Sequence, residues 1–111
     1  MWLLLGKMVS WLASEHAPLF IRMVIAPGDK TKISATRLVA ARVLIANPAV
    51  KEDGTAQGSP IRVGTDVDGS QYVVLHPGDW IELNNVDLSK IEVKNVGSAD
   101  EEIYVVGHGV S

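Results

Sequence analysis

The sequence predicts an all-β fold, a small β-sandwich or jelly-roll-like barrel with a short hydrophobic helix or arm at its N-terminus. Residues 61–106 contain short runs in which apolar and polar residues alternate, as they do on half-buried strands. Turn sequences separate these runs at roughly 8–12-residue intervals, which favours a sandwich or barrel over βαβ units. Ten glycines and five prolines suit a turn-rich chain. We therefore expect the arm to span residues 1–17 and one β-domain to span residues 18–111.

The composition excludes several classes of function. A chain of 111 residues is long enough for one domain with a substantial core. Its net charge of −3 offers no basic footprint for nucleic acid. Because the chain has no cysteine, it cannot use a disulfide framework, a thiolate nucleophile or a cysteine-based metal site. Function is therefore expected to come from binding surfaces.

The first twelve residues are strongly apolar, with Lys7 as their only charge. They fit a signal peptide poorly, because Lys7 interrupts the apolar run. A helix of this length rises roughly 18 Å, too short for a membrane core of about 30 Å. Large apolar side chains left in water forfeit about 1.5–3 kcal/mol each, so we expect the segment to dock on a neighbouring subunit or on its own domain. Four of its residues share one helical seam and a tryptophan widens it, so the predicted partner-binding residues are Trp2, Leu5, Val9, Leu12 and Trp11.

The next elements are a strand, an ambiguous segment and a loop. Residues 19–26 are typical of a strand, which a Pro-Gly-Asp turn closes. Residues 34–46 fit a helix capped by Ser34 or Thr36, but they also place branched residues on one strand face. The branched residues and the all-β context favour a strand here. Residues 48–60 are predicted to form an exposed loop.

The back half predicts a series of strands. Ile61 and Val63 point to one face of the first. Residues 72–75 and 103–106 are apolar on both faces, so we expect each to be central in a sheet or covered by a second sheet or subunit. Between them, Pro77 and Gly78 occupy the positions that a type II turn requires, because Pro presets φ and Gly accepts positive φ. Residues 81–83 and 91–93 alternate, with one face dry and one wet.

No reaction centre is visible in the sequence. The histidines His16, His76 and His108 lack the clustered spacing of metal ligands. Residues 66–69 resemble part of a calcium loop without its third ligand or distal glutamate, so we expect a solvated hairpin. Three glutamates are expected on wet faces: Glu82, Glu92 and Glu101. We predict a protein that is not an enzyme, with no cofactor and no metal.

Several segments, taken together, resemble small virion proteins of tailed bacteriophages. They are residues 41–45, 61–64 (Ile-Arg-Val-Gly), 74–79 (ending in Leu-His-Pro-Gly-Asp), 88–93 (Leu-Ser-Lys-Ile-Glu-Val) and 103–105. The resemblance spans residues 36 to 107. Asp79 departs from it, because many relatives carry Glu there, and the apolar N-terminus has no counterpart.

This resemblance implies β-sandwich or jelly-roll modules on heads, connectors or fibres. The expected function is that of a non-enzymatic capsid-associated protein, a decoration or cement protein or the base of a head fibre. Its partners would be capsid or other virion subunits, in a homo-oligomer for which a trimer is the first expectation. It would reside in the virion, and in the host cytoplasm during assembly. A tail or connector component is the close alternative.

An alternative from another class is a ligand-binding β-module, such as a carbohydrate-binding or cupin-like domain. Tyr72 and Trp80 would then stack on the ligand, because aromatic rings offer flat apolar faces with a polar edge. Pro-Gly-Asp-Trp turns such as residues 77–80 also occur in cupins. The paired metal-binding histidines and the following glutamate of cupins have no match in this sequence.

Overall fold

The structure, a computed structural model, describes residues 17–110 and is built from eight strands. A short 3₁₀ helix, Leu88–Lys90, joins the sixth strand to the seventh. The strands are β1 (Ala17–Ile25), β2 (Lys30–Lys32), β3 (Val39–Ala46), β4 (Ile61–Asp66), β5 (Gln71–Leu75), β6 (Trp80–Asp87), β7 (Glu92–Asn95) and β8 (Glu101–Val110). The predicted all-β fold is confirmed. The predicted N-terminal helix or arm lies almost entirely outside the described residues.

The strands form two four-stranded antiparallel sheets. The first sheet has the order β1-β8-β3-β6, and the second has the order β2-β7-β4-β5. Successive strands mostly change sheets, and among the strands of residues 17–110 only β4 and β5 form a hairpin within one sheet. Eight strands wound between two sheets in this way make a jelly roll.

The core lies between the two sheets and is aliphatic. Strand alternation sends every second side chain inward, so Val43 and Ile45 of β3 belong to the same buried cluster as Ile61 and Val63 of β4. The inward orientations predicted for Ile61 and Val63 are therefore confirmed. The buried cluster comprises Ile25, Ile33, Ala40, Val43, Ile45, Ile61, Val63, Leu75, Leu88, Ile91, Val93, Ile103 and Val105.

The ambiguous segment 34–46 ends as a strand, as its branched residues indicated. β3 pairs with β6 on one side and β8 on the other, so it is central in the first sheet. Ser34 does not cap a helix. Its hydroxyl instead hydrogen-bonds the Thr36 carbonyl at 2.6 Å and closes a local turn before the strand.

Two predictions about coverage differ in outcome. β8 is central, between β1 and β3, as expected for residues 103–106. Residues 72–75 are not central, because β5 pairs with β4 alone among the described strands and lies at a sheet edge. Val73 and Val74 consequently remain 49% and 41% exposed. A run that is apolar on both faces shows which residue types a strand contains. It does not show whether other strands pair with it on both sides.

Two predictions of exposure are wrong at one end of the sandwich. The loop of residues 48–60 was expected in solvent, but Gln57 and Ser59 are buried. Glu101 was expected on a wet face, but its exposed fraction is 0%. The reason is local, because the loop folds under the start of β8 and supplies backbone amides to the carboxylate of Glu101.

Candidate functional site

A broad apolar surface covers the outer side of the first sheet. The strand register places Phe20 opposite Val106, and Val106 opposite Leu44, in one row across three strands. Four of its side chains are strongly exposed: Phe20 at 75%, Trp80 at 59%, Val24 at 57% and Val106 at 43%. We call this surface the outer apolar face and define it as Phe20, Val24, Leu44, Ala46, Trp80, Tyr104 and Val106.

The outer apolar face arises from strands that are apolar on both sides. In β1, Leu19, Ile21 and Met23 pack against the core, while Phe20 and Val24 point the other way. Because a sandwich of two sheets covers only one side of each sheet, the second apolar set stays outside. Among residues 17–110 these outward side chains remain exposed.

Charged residues lie beside the apolar side chains in the same rows, and they largely neutralise one another. The Arg42 guanidinium donates to the Glu82 carboxylate at 2.7 Å and holds the pKa of Glu82 below its usual value. Arg22 lies 3.2 Å from Glu52 and 3.6 Å from Glu102. A shallow groove of about 300 Å³ lies beside the first pair, next to Phe20 and Val106. The surface therefore presents an apolar centre with paired charges.

A second candidate site is an open cavity of about 390 Å³ between the sheets. It lies where the edge strands β5 and β6 leave the sandwich unclosed. The register makes Ile81 the neighbour of Ile45, and Leu83 the neighbour of Val43, so both β6 side chains point inward. Its lining residues are Val63, Gly64, Thr65, Ser70, Gln71, Tyr72, Val73, Ile81, Leu83 and Ile91.

The cavity has an apolar floor and a neutral polar rim. Val63, Ile81 and Leu83 supply the aliphatic walls, and Thr65, Ser70 and Gln71 supply hydroxyl and amide groups. No residue of the lining is charged at neutral pH. The lining therefore suits an uncharged, mainly apolar molecule.

A cluster of buried polar side chains closes one end of the sandwich. The Glu101 carboxylate accepts hydrogen bonds from the backbone amides of Gly58 and Ser59, at 3.1 and 2.9 Å. Asn47 donates to the carbonyls of Ser59 and Leu75, and Gln57 donates to the Asn47 amide oxygen. Within the described residues, the second carboxylate oxygen of Glu101 has no partner. The cluster ties the long loop to β3 and β8, which is a structural role.

The calcium-like sequence of residues 66–69 forms a turn whose carboxylate is already occupied. The ammonium groups of Lys30 and Lys94 lie 2.8 and 2.6 Å from Asp68. Their hydrogen bonds lower the pKa of Asp68 to about 2. The Asp68 side chain therefore serves a cross-strand ion cluster on the second sheet.

The structure separates the two aromatic residues predicted to stack on a ligand. Trp80 pairs with Ala46 and points outward from the first sheet. Tyr72 pairs with Gly64 on the second sheet, and the Arg62 guanidinium lies 4.4 Å from its ring centre. The two rings therefore do not share one platform. Tyr72 borders the inter-sheet cavity, whereas Trp80 belongs to the outer apolar face.

The remaining predicted residues are dispersed or undescribed. Residues Trp2, Leu5, Val9, Trp11 and Leu12, and His16 with them, lie outside the described residues. His76 begins a turn in which the Asp79 amide bonds the His76 carbonyl at 2.8 Å, and Gly78 has φ 97°. His108 lies beside Arg42 on the first sheet. Residues 17–110 contain no group of three or more side chains arranged to hold a metal ion.

The outer apolar face was missed at the sequence level, although a signal for it exists. Residues 19–26 have apolar side chains at both parities, as do residues 103–106. Only the register shows that the outward set of β1 lies beside the outward set of β8. Sequence periodicity shows which side chains of one strand share a face. The pairing of strands is also needed to show which of these side chains form one continuous surface.

Comparison with known proteins supports the fold. The structure is similar to a Cupin_2 domain of an XRE family transcriptional regulator from Enterobacter cloacae, with a TM-score of 0.51 and 11% identity over 82% of this chain and 90% of that chain. A de novo designed double-stranded β-helix gives a TM-score of 0.47 and 17% identity over 81% of this chain and 97% of that chain. No protein-family model and no curated protein matches the sequence. The similarity to the Cupin_2 domain agrees with the jelly-roll fold that the strand order defines.

Proposed function

We propose that this protein is a non-enzymatic assembly module that binds other protein subunits through its outer apolar face. The observation that carries the proposal is the set of outward apolar side chains that the register brings together on the first sheet, four of which are strongly exposed. Contiguous apolar patches of this kind mark interaction surfaces, whereas scattered ones do not. Burying each large side chain is worth about 1.5–3 kcal/mol, so four of them supply substantial affinity.

We assign this module to a virion, as a capsid decoration or cement protein or the base of a head fibre. The sequence resemblance to small proteins of tailed phages supports the assignment, and so does a jelly roll with an apolar side. A tail or connector component would use the same surface. The apolar N-terminal residues would add contacts within a homo-oligomer, for which a trimer is the first expectation. The protein would be found in virions, and in the host cytoplasm during their assembly.

The decisive experiment compares two lysine substitutions at equally exposed valines. Val106→Lys places a charge in the outer apolar face, and Val74→Lys places it on the outer side of the second sheet. Tagged chains are supplied during virion assembly, and the amount that co-sediments with purified particles is measured. We expect Val106→Lys to reduce incorporation at least about tenfold, because a buried charge costs more than 1.4 kcal/mol. Val74→Lys should behave as wild type.

Two results would contradict this proposal. If the wild-type chain is missing from purified particles, the virion assignment is wrong. If Val106→Lys and Val74→Lys incorporate equally, the outer apolar face is not the contact surface.

A second candidate function is the binding of a small apolar ligand, which the cavity between β5 and β6 favours. Leu83→Trp would fill this cavity from its β6 wall, so it should weaken binding of an environment-sensitive apolar dye at least about tenfold. Trp80→Ala is the control, because that ring lies on the outer side of the first sheet and does not line the cavity. A glycan array in which Trp80→Ala alone abolished binding would instead support carbohydrate recognition at the outer apolar face.

A further inference from the structure

We infer that the outer apolar face is the docking site for residues 1–12 of a second copy of this chain. This inference rests on the proposed function and names the partner of that same surface. Three observations carry it: the chemistry of the surface, the chemistry of the segment, and the place where the segment joins the sheet.

The surface is suited to an apolar segment without buried charge. Its centre is formed by Phe20, Val106 and Leu44 in one row. In the adjacent row Ala46 lies between Tyr104 and Trp80. The charged groups nearest to it are paired with each other, as in the contact between Arg42 and Glu82. An apolar occupant can therefore cover the centre while the ion pairs stay in solvent.

The N-terminal segment supplies such an occupant. Residues 1–12 contain nine large apolar side chains and one charged side chain, Lys7. Contact between these side chains and the outer apolar face would remove apolar surface of both from water, which is favourable. The first sheet is about 14 Å wide from β1 to β6, since neighbouring strands lie about 4.8 Å apart. Twelve residues are long enough to cross it in a helical or an extended conformation.

The attachment point favours a second copy over the segment's own sheet. The segment joins the fold at β1, an edge strand whose first residue, Ala17, pairs with Val110. From there β1 runs past Phe20 toward Val24. Returning to its own sheet would require a full reversal within residues 13–16. A second copy could be reached without such a reversal.

Docking of this kind joins two different surfaces of identical chains. Such a heterologous contact closes into a ring when its rotation permits, which is how a trimer would arise. Each chain then has one donor surface, residues 1–12, and one acceptor surface, the outer apolar face. Each surface can be damaged independently in the full-length protein.

The experiment is a complementation test by sedimentation velocity. Leu5→Lys/Val9→Lys damages the segment and leaves the sheet intact, whereas Val106→Lys damages the sheet and leaves the segment intact. We expect wild type and the Val74→Lys control to be oligomeric, and each damaged protein to sediment as a monomer of 11.9 kDa. An equimolar mixture of the two damaged proteins should form a complex of twice the monomer mass. Monomers in that mixture, or an oligomer from either damaged protein alone, would overturn the inference.

A fluorescence measurement on Trp80 provides the second test. Trp2→Phe/Trp11→Phe leaves Trp80 as the single tryptophan of a full-length chain, inside the outer apolar face. We expect its emission to shift to shorter wavelength as protein concentration rises. A peptide of residues 1–16 with the same two phenylalanines should cause the same shift when added to a chain that also carries Leu5→Lys/Val9→Lys. A blue-shifted emission that does not depend on concentration would show that the segment covers its own sheet, and would refute the second copy.

The two proposals fail in different ways. If Leu5→Lys/Val9→Lys enters virions as well as wild type while Val106→Lys does not, the proposed function stands and the docking of residues 1–12 is wrong. If complementation succeeds but Val106→Lys enters virions normally, the docking stands and the proposed function is wrong.

Discussion

Glu101 is a residue whose charge and whose place in the strand alternation point to opposite sides of the sheet. It shares its parity along β8 with Ile103 and Val105, which are buried, so the alternation itself places it inside. A carboxylate at that position is tolerated because two backbone amides of the long loop point at it. The charge of the side chain suggested solvent, and only the folded loop reveals the donors.

Loss of the Glu101 carboxylate should therefore destabilise the protein. Glu101→Ala leaves the buried amide of Ser59 and the neighbouring amide of Gly58 without an acceptor, and we expect the free energy of unfolding to fall by about 2–3 kcal/mol. Glu101→Gln retains an oxygen acceptor at the same place and should cost less. Urea unfolding followed by circular dichroism measures both. Equal losses in the two variants would show that the hydrogen-bonded oxygen is not the stabilising group.

The Asp68 ion cluster should make stability depend on pH in the acid range. Hydrogen bonds from Lys30 and Lys94 lower the folded-state pKa of Asp68 to about 2, below the unfolded value of 3.8. The ionised form is therefore favoured by folding, so its contribution is present above pH 3.8 and is lost as the pH falls through 2. Asp68→Asn should lower the free energy of unfolding at pH 6 and have little effect below pH 2.

The control for this prediction is Asp100→Asn, which removes the same formal charge from the turn before β8. Added salt should reduce the effect of Asp68→Asn at pH 6, because the cluster is partly exposed and screened. A difference between wild type and Asp68→Asn that stays constant from pH 6 to pH 2 would contradict the assignment of the shift to this carboxylate.

At the scale of elements, sequence patterns predicted strands well and their neighbours poorly. The runs at residues 61–63, 81–83 and 91–93 alternate as expected, because one side of each faces the core. The two runs that are apolar on both sides occupy different positions in their sheets: β8 is central and β5 is an edge strand. Their compositions are alike, so the distinction depends on which strands pair, and pairing is set by contacts distant in sequence.

The β4–β5 hairpin depends on a glycine at its closest approach. A Cβ on Gly64 would overlap the Gln71 carbonyl oxygen and lie 2.5 Å from the Tyr72 Cα, both of which are backbone atoms. Because backbone cannot move aside as a side chain can, Gly64→Ala should destabilise the protein by about 1–3 kcal/mol. Gly58→Ala is the matched control, since its Cβ would meet no atom within 4 Å. Thermal unfolding compares them, and an equal midpoint for the two variants would contradict the predicted clash.

At the scale of the whole molecule, the topology connects the two ends of the described chain. β1 pairs with β8 along almost its full length, and β8 also pairs with β3. The sequence predicted a sandwich or jelly roll because turns and alternation are local signals. It could not predict the strand order, since most pairings join segments far apart in sequence. The outer apolar face follows from that order, and so it also became visible only in the fold.

This connectivity predicts that the two ends of the chain differ in their importance for folding. Deleting residues 101–111 removes the strand between β1 and β3, with the buried Ile103 and Val105, so cooperative unfolding should be lost. Deleting residues 1–13 removes none of the buried cluster within the described residues, which spans residues 25–105, and we expect the sandwich still to unfold cooperatively. Calorimetry on the two truncated chains at equal concentration measures whether each unfolds cooperatively. If the chain without β8 still unfolds cooperatively, the second sheet with β1 and β3 folds alone. If the chain without residues 1–13 loses its cooperative transition, the N-terminal segment contributes to the core.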